Sequence, residues 1–369
     1  MKITRIEPIH ISIPYEHGAP HPVMSNGDPW NVMQGLYVKM ETDAGITGWG
    51  EAFGFAGCSV TKAALELAII PLLIGREITS PGEMMDDMRY KLRNLGTNGP
   101  IGFGISGIDI ALWDIAGKVA GKPVHALLNP ACERRHVPAY ASLLRLEKRE
   151  HIEHVCGVAL SRGYKHIKLH EKTVEAVATA RAFIGPDIAL MLDTNCHFTV
   201  DEAIEKARQM QRYNLMWFEE PVTPVDDYAA MARIRKEGGV PTAAGENLGN
   251  LLDVKRIIEA DAVDYVQPDA IKMGGISECW KALNLAREMG VKAEPHSPFY
   301  GPGLIASVHL CAAAQDEILA EFFYADLQNN PVGKLARPEG GRMQVAQGPG
   351  LGIEVDEDML EKYRVRGRV

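Results

Sequence analysis

The chain has 369 residues, of which 46% are hydrophobic, 24% charged and 7% aromatic. These values are ordinary for a globular protein and exclude a largely disordered, collagenous or coiled-coil chain. The net charge of −9 makes nucleic acid and anionic membrane surfaces unfavourable partners, because an acidic protein repels phosphate groups. No apolar run approaches the roughly 18–20 residues that a membrane span needs.

The first residues and the cysteines both favour a cytoplasmic protein. Residues 1–14 alternate like a β-strand and lack the charged-then-apolar pattern of a secretion signal. The six cysteines are scattered without a CxxC pair, which in a long chain is typical of buried free thiols rather than of a disulfide framework.

Residues 1–135 have the pattern of an α+β domain. Alternating apolar residues predict β-strands at 1–13, 36–41 and 46–51. Helical periodicity predicts helices at 61–73, 81–95 and 105–119. A Gly-x-Gly-x-x-Gly match at Gly102, Gly104 and Gly107 lacks the preceding strand and the following acidic residue of a dinucleotide site. We interpret it as the glycine-rich start of the third helix.

Residues 136–329 consist of short apolar runs that alternate with amphipathic helical patterns. Continuous apolar strands alternating with helices are typical of parallel sheets, so this pattern predicts an α/β fold with a (β/α)8 TIM-type barrel, in which only the last helix is not evident. The eight runs lie at 138–144, 166–170, 189–195, 216–220, 242–246, 265–269, 291–296 and 318–324. The remaining Gly- and Pro-rich segment, 330–369, ends in a short strand-like pattern.

Acidic residues end three consecutive runs of the predicted barrel. Asp193 and Glu219 are 26 residues apart (219 − 193) and Glu219 and Glu246 are 27 apart (246 − 219), one strand–helix unit in each case. The carboxyl ends of barrel strands meet at one mouth, where active sites of this fold lie. Adjacent carboxylates repel one another unless a cation neutralises them, and oxygen-only ligands favour Mg²⁺, or Mn²⁺, over Zn²⁺. A single acid here is typical of a solvated helix cap, but three at matching positions predict a metal site.

Groups that transfer protons flank this predicted metal site. Lys168 and His170 are two residues apart on one strand, so both side chains point to the same face. Asp269 and His296 end two neighbouring runs on the far side, and an aspartate beside a histidine fixes its tautomer and raises its basicity. Taken singly, such residues are more typical of solvated strand ends or core histidines. Together they favour removal of the α-proton of a carboxylate substrate, with a metal and a lysine stabilising the resulting enediolate.

Motifs along nearly the whole chain resemble the mandelate racemase/muconate-lactonising group of the enolase superfamily. Outside the barrel these motifs are GWGE at 48–51, GIDIALWD at 107–114 and PGLGIE at 349–354. The strand-end motifs of the barrel match in order and in spacing. The resemblance implies that residues 1–135 cap a catalytic barrel at 136–329, that 330–369 return to this cap, and that the protein is a homo-oligomer.

The resemblance also implies roles for single residues. The metal ligands are Asp193, Glu219 and Glu246, the His–Asp dyad is Asp269 and His296, and the groups that contact the substrate carboxylate are Lys168 and Glu321. The departure from the family pattern is His170, which stands where a second, proton-transferring lysine is usual. Imidazole has a reference pKa near 6.5 against about 10.4 for lysine, so an acid or base role is retained, whereas racemisation by two matched bases is less favoured.

Loops of the cap are implied to close the barrel mouth and to select the substrate. The corresponding segments are 15–30 and 52–58. Their polar and aromatic side chains include His17, His21, Asn26, Trp30 and Phe53. We predict that His21 and Trp30 bind substrate together with Asn195 of the barrel, although each cap residue alone is as typical of loop packing. The polar loop favours a polyhydroxy acid over an aromatic one.

These observations lead to three hypotheses about function, each with a small carboxylate as the partner. The leading one is a Mg²⁺-dependent lyase that dehydrates an aldonic or aldaric acid to a 2-keto-3-deoxy acid, because His296 and His170 suit two separate proton transfers. The second is an isomerase, either a racemase or epimerase or a sugar-lactone cycloisomerase. The third is a non-catalytic binding module, which is disfavoured because burying so many charges without function is costly.

Overall fold

An antiparallel sheet forms the amino-terminal part of the computed structural model, which describes residues 1–23, 27–96 and 98–366. In this sheet β1 (Ile3–Glu16) pairs with β2 (Val32–Thr42), and β2 pairs with β3 (Thr47–Ala52). Each of the three predicted strands overlaps one of these strands. The polar stretch between β1 and β2 is therefore a long connection at one end of the sheet.

Four helices follow this sheet in the chain. They are α1 (Cys58–Ala64), α2 (Pro81–Leu92), α3 (Pro100–Ala120) and α4 (Val124–Leu128). The helix α3 packs so closely on β3 that a Cβ atom at Gly50 would overlap the carbonyl oxygen of Gly107. Gly104 lies in the same way against the side chain of Ile69. The Gly-x-Gly-x-x-Gly match thus lies inside α3 and serves close packing, in agreement with its interpretation as a helix start.

One helical stretch, Phe55–Leu72, is long and apolar enough to cross a membrane by length and composition. The stretch is not an uninterrupted apolar run, because it contains Lys62 and Glu66. The stretch is not uniform, because α1 continues through a π turn at Leu65–Ile69 and a 3₁₀ turn at Ile70–Leu72. Leu65 and Ile69 are fully buried against α3, so one face of the stretch belongs to the core of the amino-terminal part.

Eight parallel strands form the second sheet, and each overlaps one of the eight predicted apolar runs. They are β4 (His136–Ser142), β5 (His166–Leu169), β6 (Ala189–Asp193), β7 (Leu215–Glu219), β8 (Thr242–Ala244), β9 (Tyr265–Val266), β10 (Lys292–Ala293) and β11 (Ala320–Phe323). Hydrogen-bonded neighbours run in the order β10-β9-β8-β7-β6-β5-β4-β11, as in a curled barrel sheet. The predicted α/β fold, a TIM-type barrel with an α+β cap, is confirmed.

Seven helices connect successive strands of the barrel. They are α5 (Arg149–Ser161), α6 (Val174–Ile184), α7 (Val200–Met210), α8 (Tyr228–Gly238), α9 (Leu251–Glu259), α10 (Gly275–Glu288) and α11 (Pro302–Ala313). In the described part of the chain no barrel helix follows β11, and the chain passes instead to β12 (Asp326–Leu327), which pairs with the end of β1. This is why the sequence shows no eighth helical pattern.

The strands β10 and β11 are the two ends of the barrel sheet, and carboxyl groups bridge them. Glu294 Oε2 accepts a hydrogen bond from the Leu319 amide at 2.6 Å, and Glu321 Oε2 accepts one from the Ser297 amide at 2.9 Å. Burial raises the pKa of Glu294 to about 8, so this bridge carries little charge at neutral pH. Side chains thus close the barrel where main-chain pairing ends among the described residues.

The carboxyl-terminal segment contacts both parts of the molecule. Its strand β13 (Arg342–Gln344) pairs antiparallel with β4. Directly after α12 (Glu357–Lys362), the Tyr363 carbonyl accepts a hydrogen bond from the Ser12 amide of β1 at 3.0 Å. The buried Asp114 carboxylate of α3 accepts hydrogen bonds from the Trp49 and Leu351 amides at 2.9 and 2.8 Å. The three motifs outside the barrel therefore meet at one side chain.

Candidate active site

The three strand-end acids meet at the mouth of the barrel. Asp193 and Glu219 are the last residues of β6 and β7, and Glu246 follows β8 after a single glycine. One carboxylate oxygen from each residue lies within 4.8 Å of the other two. We refer to Asp193, Glu219 and Glu246 as the acidic cluster.

The acidic cluster has the chemistry of a site for a hard divalent cation. Asp193 Oδ2 is buried without a hydrogen-bond donor among the described residues, although His170 Nε2 lies 3.1 Å away. Burial raises the pKa of Glu219 to about 7, and repulsion from Asp193 adds to this effect while Lys168 opposes it. Oxygen-only ligands that include an unpartnered carboxylate oxygen fit Mg²⁺ or Mn²⁺, whose charge removes the cost of ionising all three acids.

Lys168 lies beneath the acidic cluster and is fully buried. Its Nζ is 2.8 Å from Glu219 Oε1, 2.9 Å from Glu321 Oε1 and 3.7 Å from Asp193 Oδ2. Burial opposes the ammonium charge, but these carboxylates outweigh it and raise the pKa of Lys168 well above its ordinary value. Lys168 is therefore a permanent cation, suited to bind a carboxylate and to stabilise negative charge.

His170 lies at one side of the acidic cluster, directly after β5. Its Nδ1 is 2.6 Å from the Leu143 carbonyl oxygen, and this hydrogen bond requires the proton to be on Nδ1. Its Nε2 consequently faces Asp193 and the cavity. Burial opposes protonation of this ring, but the charge of Asp193 outweighs it, and the pKa of His170 is raised. The structure thus holds this imidazole in one orientation.

His296 lies at the other side of the acidic cluster and contacts Asp269. Its Nδ1 donates to Asp269 Oδ2 at 2.6 Å, while its Nε2 is 3.2 Å from Glu246 Oε2 and 3.9 Å from Glu321 Oε2. Burial opposes protonation, but Glu246 and Glu321 raise the pKa of His296 well above its usual range. The two imidazoles therefore approach the two outer acids of the cluster, Asp193 and Glu246.

A cavity of about 620 Å³ opens onto the acidic cluster between the cap and the barrel, a size typical of small-molecule sites. Trp30 and Asn195 line it, together with both imidazoles. His21 does not line it, because its ring packs on Tyr15 at 5.2 Å between centroids. Asn26 lies outside the described residues.

The cap and its surroundings contribute mainly aromatic side chains to this cavity. We call these residues the aromatic wall: Trp30, Phe53, Phe55, Phe103, Phe299 and Phe323. His17 does not face the cavity, contrary to what the polar loop predicts. Its side chain is buried, and its Nε2 lies 3.2 Å from the Pro20 carbonyl oxygen of the same loop. Hydrogen bonding within the loop leaves its apolar members to face the cavity.

Three polar residues that line the cavity escaped the sequence analysis, namely Arg145, Asn247 and Lys272. Lys272 Nζ lies 3.1 Å from Asn247 Oδ1 and 3.4 Å from Glu246 Oε1, and 4.7 Å from the centroid of the Phe53 ring. The available signal for Lys272 was its place three residues after Asp269 on the same strand-end turn. Arg145 follows the first apolar run directly, and no pattern in the sequence distinguishes it from a solvated loop residue.

Fold and site together define a capped barrel of the enolase type with carboxylates at its mouth. Residues 22–129 match the N-terminal domain of mandelate racemase and muconate lactonizing enzyme, and residues 151–359 match the enolase C-terminal domain-like family. The chain belongs to the mandelate racemase/muconate lactonizing enzyme family of the enolase superfamily, which confirms the resemblance in the sequence.

Relatives with named activities cover nearly the whole chain. A D-galactarolactone cycloisomerase of Agrobacterium fabrum is 32% identical over 99% of both chains. An arabinonate dehydratase of Saccharolobus solfataricus is 30% identical over 90% of this chain and 91% of its own. The crystal structure of a 3,6-anhydro-D-galactonate cycloisomerase of Zobellia galactanivorans is 31% identical, with a TM-score of 0.85 over 99% of this chain and 100% of its own. A family member of Paracoccus denitrificans, crystallised with magnesium, is 26% identical with a TM-score of 0.86 over 98% and 97% of the two chains.

Proposed function

We propose that the protein is a Mg²⁺-dependent lyase that dehydrates a sugar acid to a 2-keto-3-deoxy acid. The observation that carries this proposal is the placement of two imidazoles, His170 and His296, at the two outer acids of the cluster. Dehydration needs one group that removes the α-proton and another that protonates the departing β-hydroxyl. The named relatives, which act on sugar acids or their lactones, support this substrate class.

The acidic cluster would hold the cation. Its members Asp193, Glu219 and Glu246 supply oxygen ligands only, and the magnesium complex of the Paracoccus relative supports Mg²⁺ as the cation. When bound, a divalent cation polarises the substrate carboxylate and makes the neighbouring α-proton more acidic. Mn²⁺ has the same ligand preference and is expected to replace Mg²⁺.

Lys168 and Glu321 would position the substrate carboxylate. The buried Lys168 ammonium stabilises the negative charge that grows on the carboxylate as the α-proton leaves. Glu321 Oε1 lies 2.9 Å from this ammonium and Glu321 Oε2 accepts the Ser297 amide, so the Glu321 side chain fixes the direction of Lys168.

The two imidazoles would transfer the protons through their Nε2 atoms. In both rings Nδ1 is engaged, in His296 by Asp269 and in His170 by the Leu143 carbonyl, which leaves Nε2 toward the cavity. One ring accepts the α-proton and the other donates a proton to the β-hydroxyl, which leaves as water. The configuration of the substrate decides which ring acts first.

The comparisons favour a second candidate, a sugar-lactone cycloisomerase. The Agrobacterium and Zobellia relatives are both named cycloisomerases, and their alignments cover 99% of this chain. Cycloisomerisation uses the same removal of an α-proton, but the departing oxygen belongs to a ring of the substrate and stays in the molecule.

Product analysis distinguishes these candidates. The purified protein with Mg²⁺ is incubated with a panel of sugar acids and their lactones. Carbonyl products are detected by trapping, and the mass of each product is measured by mass spectrometry. We expect a 2-keto acid that is lighter than its substrate by one water. Products of unchanged mass from every active substrate contradict dehydration. A carbonyl product of unchanged mass from a lactone supports the cycloisomerase, whereas a carbonyl-free product of unchanged mass supports a racemase or epimerase.

A further inference from the structure

We propose that Arg145 binds a second carboxylate at the far end of the substrate, so that the preferred substrate is a dicarboxylic sugar acid or its monolactone. This inference rests on the proposed function and selects among its substrates. An aldonic acid carries one carboxylate, which the acidic cluster and Lys168 already accommodate. An aldaric acid of the same configuration carries another one at the opposite end.

Arg145 is a cation of the cavity that forms no ion pair with any described residue. It lies after β4 beside His170, and its Nε is 3.4 Å from the His170 carbonyl oxygen. Across the described ranges, no carboxylate oxygen lies within 4.0 Å of its guanidinium nitrogens. Other half-buried arginines are better satisfied: Arg89 pairs with Glu278 at 2.7 Å and Arg235 with Asp264 at 2.9 Å. Arg134 and Arg181 have no acidic partner, but each donates several hydrogen bonds to main-chain carbonyl oxygens.

The buried acid Glu171, whose charge interacts with Arg145, is hydrogen-bonded to the backbone. Glu171 Oε1 accepts hydrogen bonds from the Leu146 and Glu147 amides at 2.7 and 3.0 Å. These bonds hold the loop directly after Arg145, in which Glu147 has a φ of 60°. The Glu171 carboxylate thus holds this loop in place, and in the described part of the chain it forms no ion pair with the Arg145 guanidinium within 4.0 Å.

A second cation, Lys172, lies within electrostatic range of Arg145. Lys172, like Arg145, has no carboxylate oxygen within 4.0 Å in the described part of the chain. Burial lowers the pKa of Lys172, and the charge of Arg145 lowers it further. A second cavity of about 260 Å³ adjoins the first one at Arg145 and is lined by Lys148 and His151, with Glu147 as its acid. An anionic group beside Arg145 would relieve this repulsion.

Among the described residues that line the cavity, no other side chain offers a free positive charge to a distal anion. The aromatic wall is uncharged, and Lys272 is already opposed by Glu246 at 3.4 Å. Both imidazoles face the acidic cluster. A planar guanidinium binds a carboxylate through two parallel hydrogen bonds, whereas a neutral hydroxyl end would leave its charge unbalanced in a partly dehydrated cavity. Arg145 therefore matches a carboxylate better than a hydroxymethyl group.

The test compares matched substrates on the Mg²⁺-loaded protein. Hexonic acids and the hexaric acids of the same configuration are assayed with the wild type and with Arg145→Met. We expect kcat/KM of the wild type to be about tenfold or more higher for the hexaric acid. Arg145→Met should remove this preference by lowering the hexaric value alone. The control Arg149→Met changes an arginine of α5 that pairs with Glu153 on the surface, and it should leave both values unchanged.

Several outcomes would overturn the proposal. One is a wild type that prefers hexonic acids, and another is an Arg145→Met variant that loses equal activity on both substrates. Faster turnover of a 6-phosphorylated hexonic acid than of the hexaric acid would assign the subsite to a phosphate instead. If the wild type exchanges the α-proton of hexonic acids without any hexaric preference, only this inference fails. If no sugar acid or lactone exchanges its α-proton in heavy water and none loses water, the proposed function fails with it.

Discussion

His296 Nδ1 lies 2.6 Å from Asp269 Oδ2, and this contact determines which ring nitrogen faces the cavity. Because Nδ1 donates its proton to the carboxylate, Nε2 is the atom left to exchange protons with a substrate. The same contact stabilises the protonated ring, so Asp269 favours the transfer of a proton from the substrate to His296.

Replacing Asp269 with asparagine tests this relationship. Asp269→Asn keeps the size of the side chain but removes its charge, and we expect kcat to fall roughly 10- to 100-fold. His296→Asn should stop deuterium exchange at the α-carbon of those substrates whose α-proton faces His296. Calorimetry should show Mg²⁺ affinity nearly unchanged in both variants. A loss of affinity as large as the loss of rate would show that His296 had been assigned the wrong role.

The metal prediction uses the amide variants of the acidic cluster. Asp193→Asn, Glu219→Gln and Glu246→Gln should each fold and should each bind Mg²⁺ far more weakly, because the amide removes a negative ligand. Turnover should fall with the affinity. If all three variants remain active after exhaustive removal of divalent metal, the metal site lies elsewhere.

Glu220 offers the matched control for these variants. It follows Glu219 directly, and burial together with repulsion from Glu246 raises its pKa to about 8. Its carboxyl is therefore largely neutral at pH 7, and Glu220→Gln leaves the charge of the site almost unchanged. We expect its Mg²⁺ affinity to stay within about threefold of the wild type, a free-energy change below 1 kcal/mol.

Replacing His170 should separate the two proton transfers. For substrates whose exchange depends on His296, His170→Gln should leave deuterium exchange at the α-carbon intact. Loss of water should fall by about 10²-fold or more, because no acid protonates the β-hydroxyl. His197→Gln, which changes an exposed histidine beyond the next strand, serves as the control. Equal losses of exchange and of dehydration would assign both steps to one group.

A buried histidine outside the site predicts how stability depends on pH. His309 of α11 donates from Nε2 to the Leu351 carbonyl at 3.1 Å and lies 3.0 Å from His125 between their Nδ1 atoms. Burial lowers the pKa of His309 from 6.5 to about 3. Between pH 3 and pH 6.5 the unfolded chain binds one proton more than the folded protein at this position. The free energy of unfolding therefore rises with pH through this window, and the protein becomes less stable on acidification.

The variant His309→Gln keeps a donor for the Leu351 carbonyl but does not titrate. Between pH 6.5 and pH 5 the wild type should lose about 2 kcal/mol more stability than this variant. Urea unfolding at the two pH values measures the difference. Identical losses in both proteins would mean that His309 is protonated in the folded state at pH 5.

The barrel and its acids are predictable from the sequence because both depend on local pattern. A strand buried on both faces requires a continuous apolar run, and an acid at its carboxyl end interrupts that run visibly, as Asp193 and Glu219 do. Spacing by one strand–helix unit then places such acids at one mouth whatever the details of packing.

The remainder of the site depends on how the cap meets the barrel. Trp30, Phe103 and Phe323 come from a loop, a helix and a strand of distant parts of the chain, and no local pattern brings them to one cavity. The same is true of Arg145, whose side chain donates to the His170 carbonyl of the next strand end. The ring of His21 likewise packs on Tyr15 within the same loop. This packing is not visible in the sequence, where the place of His21 in a cap loop predicts a substrate contact.

The outer edge of the cap sheet is completed by β12, which pairs Leu327 with Tyr15 of β1. During synthesis on the ribosome, Tyr15 appears some three hundred residues before its partner, so the cap stays unfinished until the barrel has been made. In a nascent chain the sheet edge at Tyr15, whose hydroxyl donates to the Trp30 carbonyl, is therefore completed after the barrel strands. Truncation near the carboxyl terminus should accordingly appear as a defect in substrate selection at the opposite end of the chain.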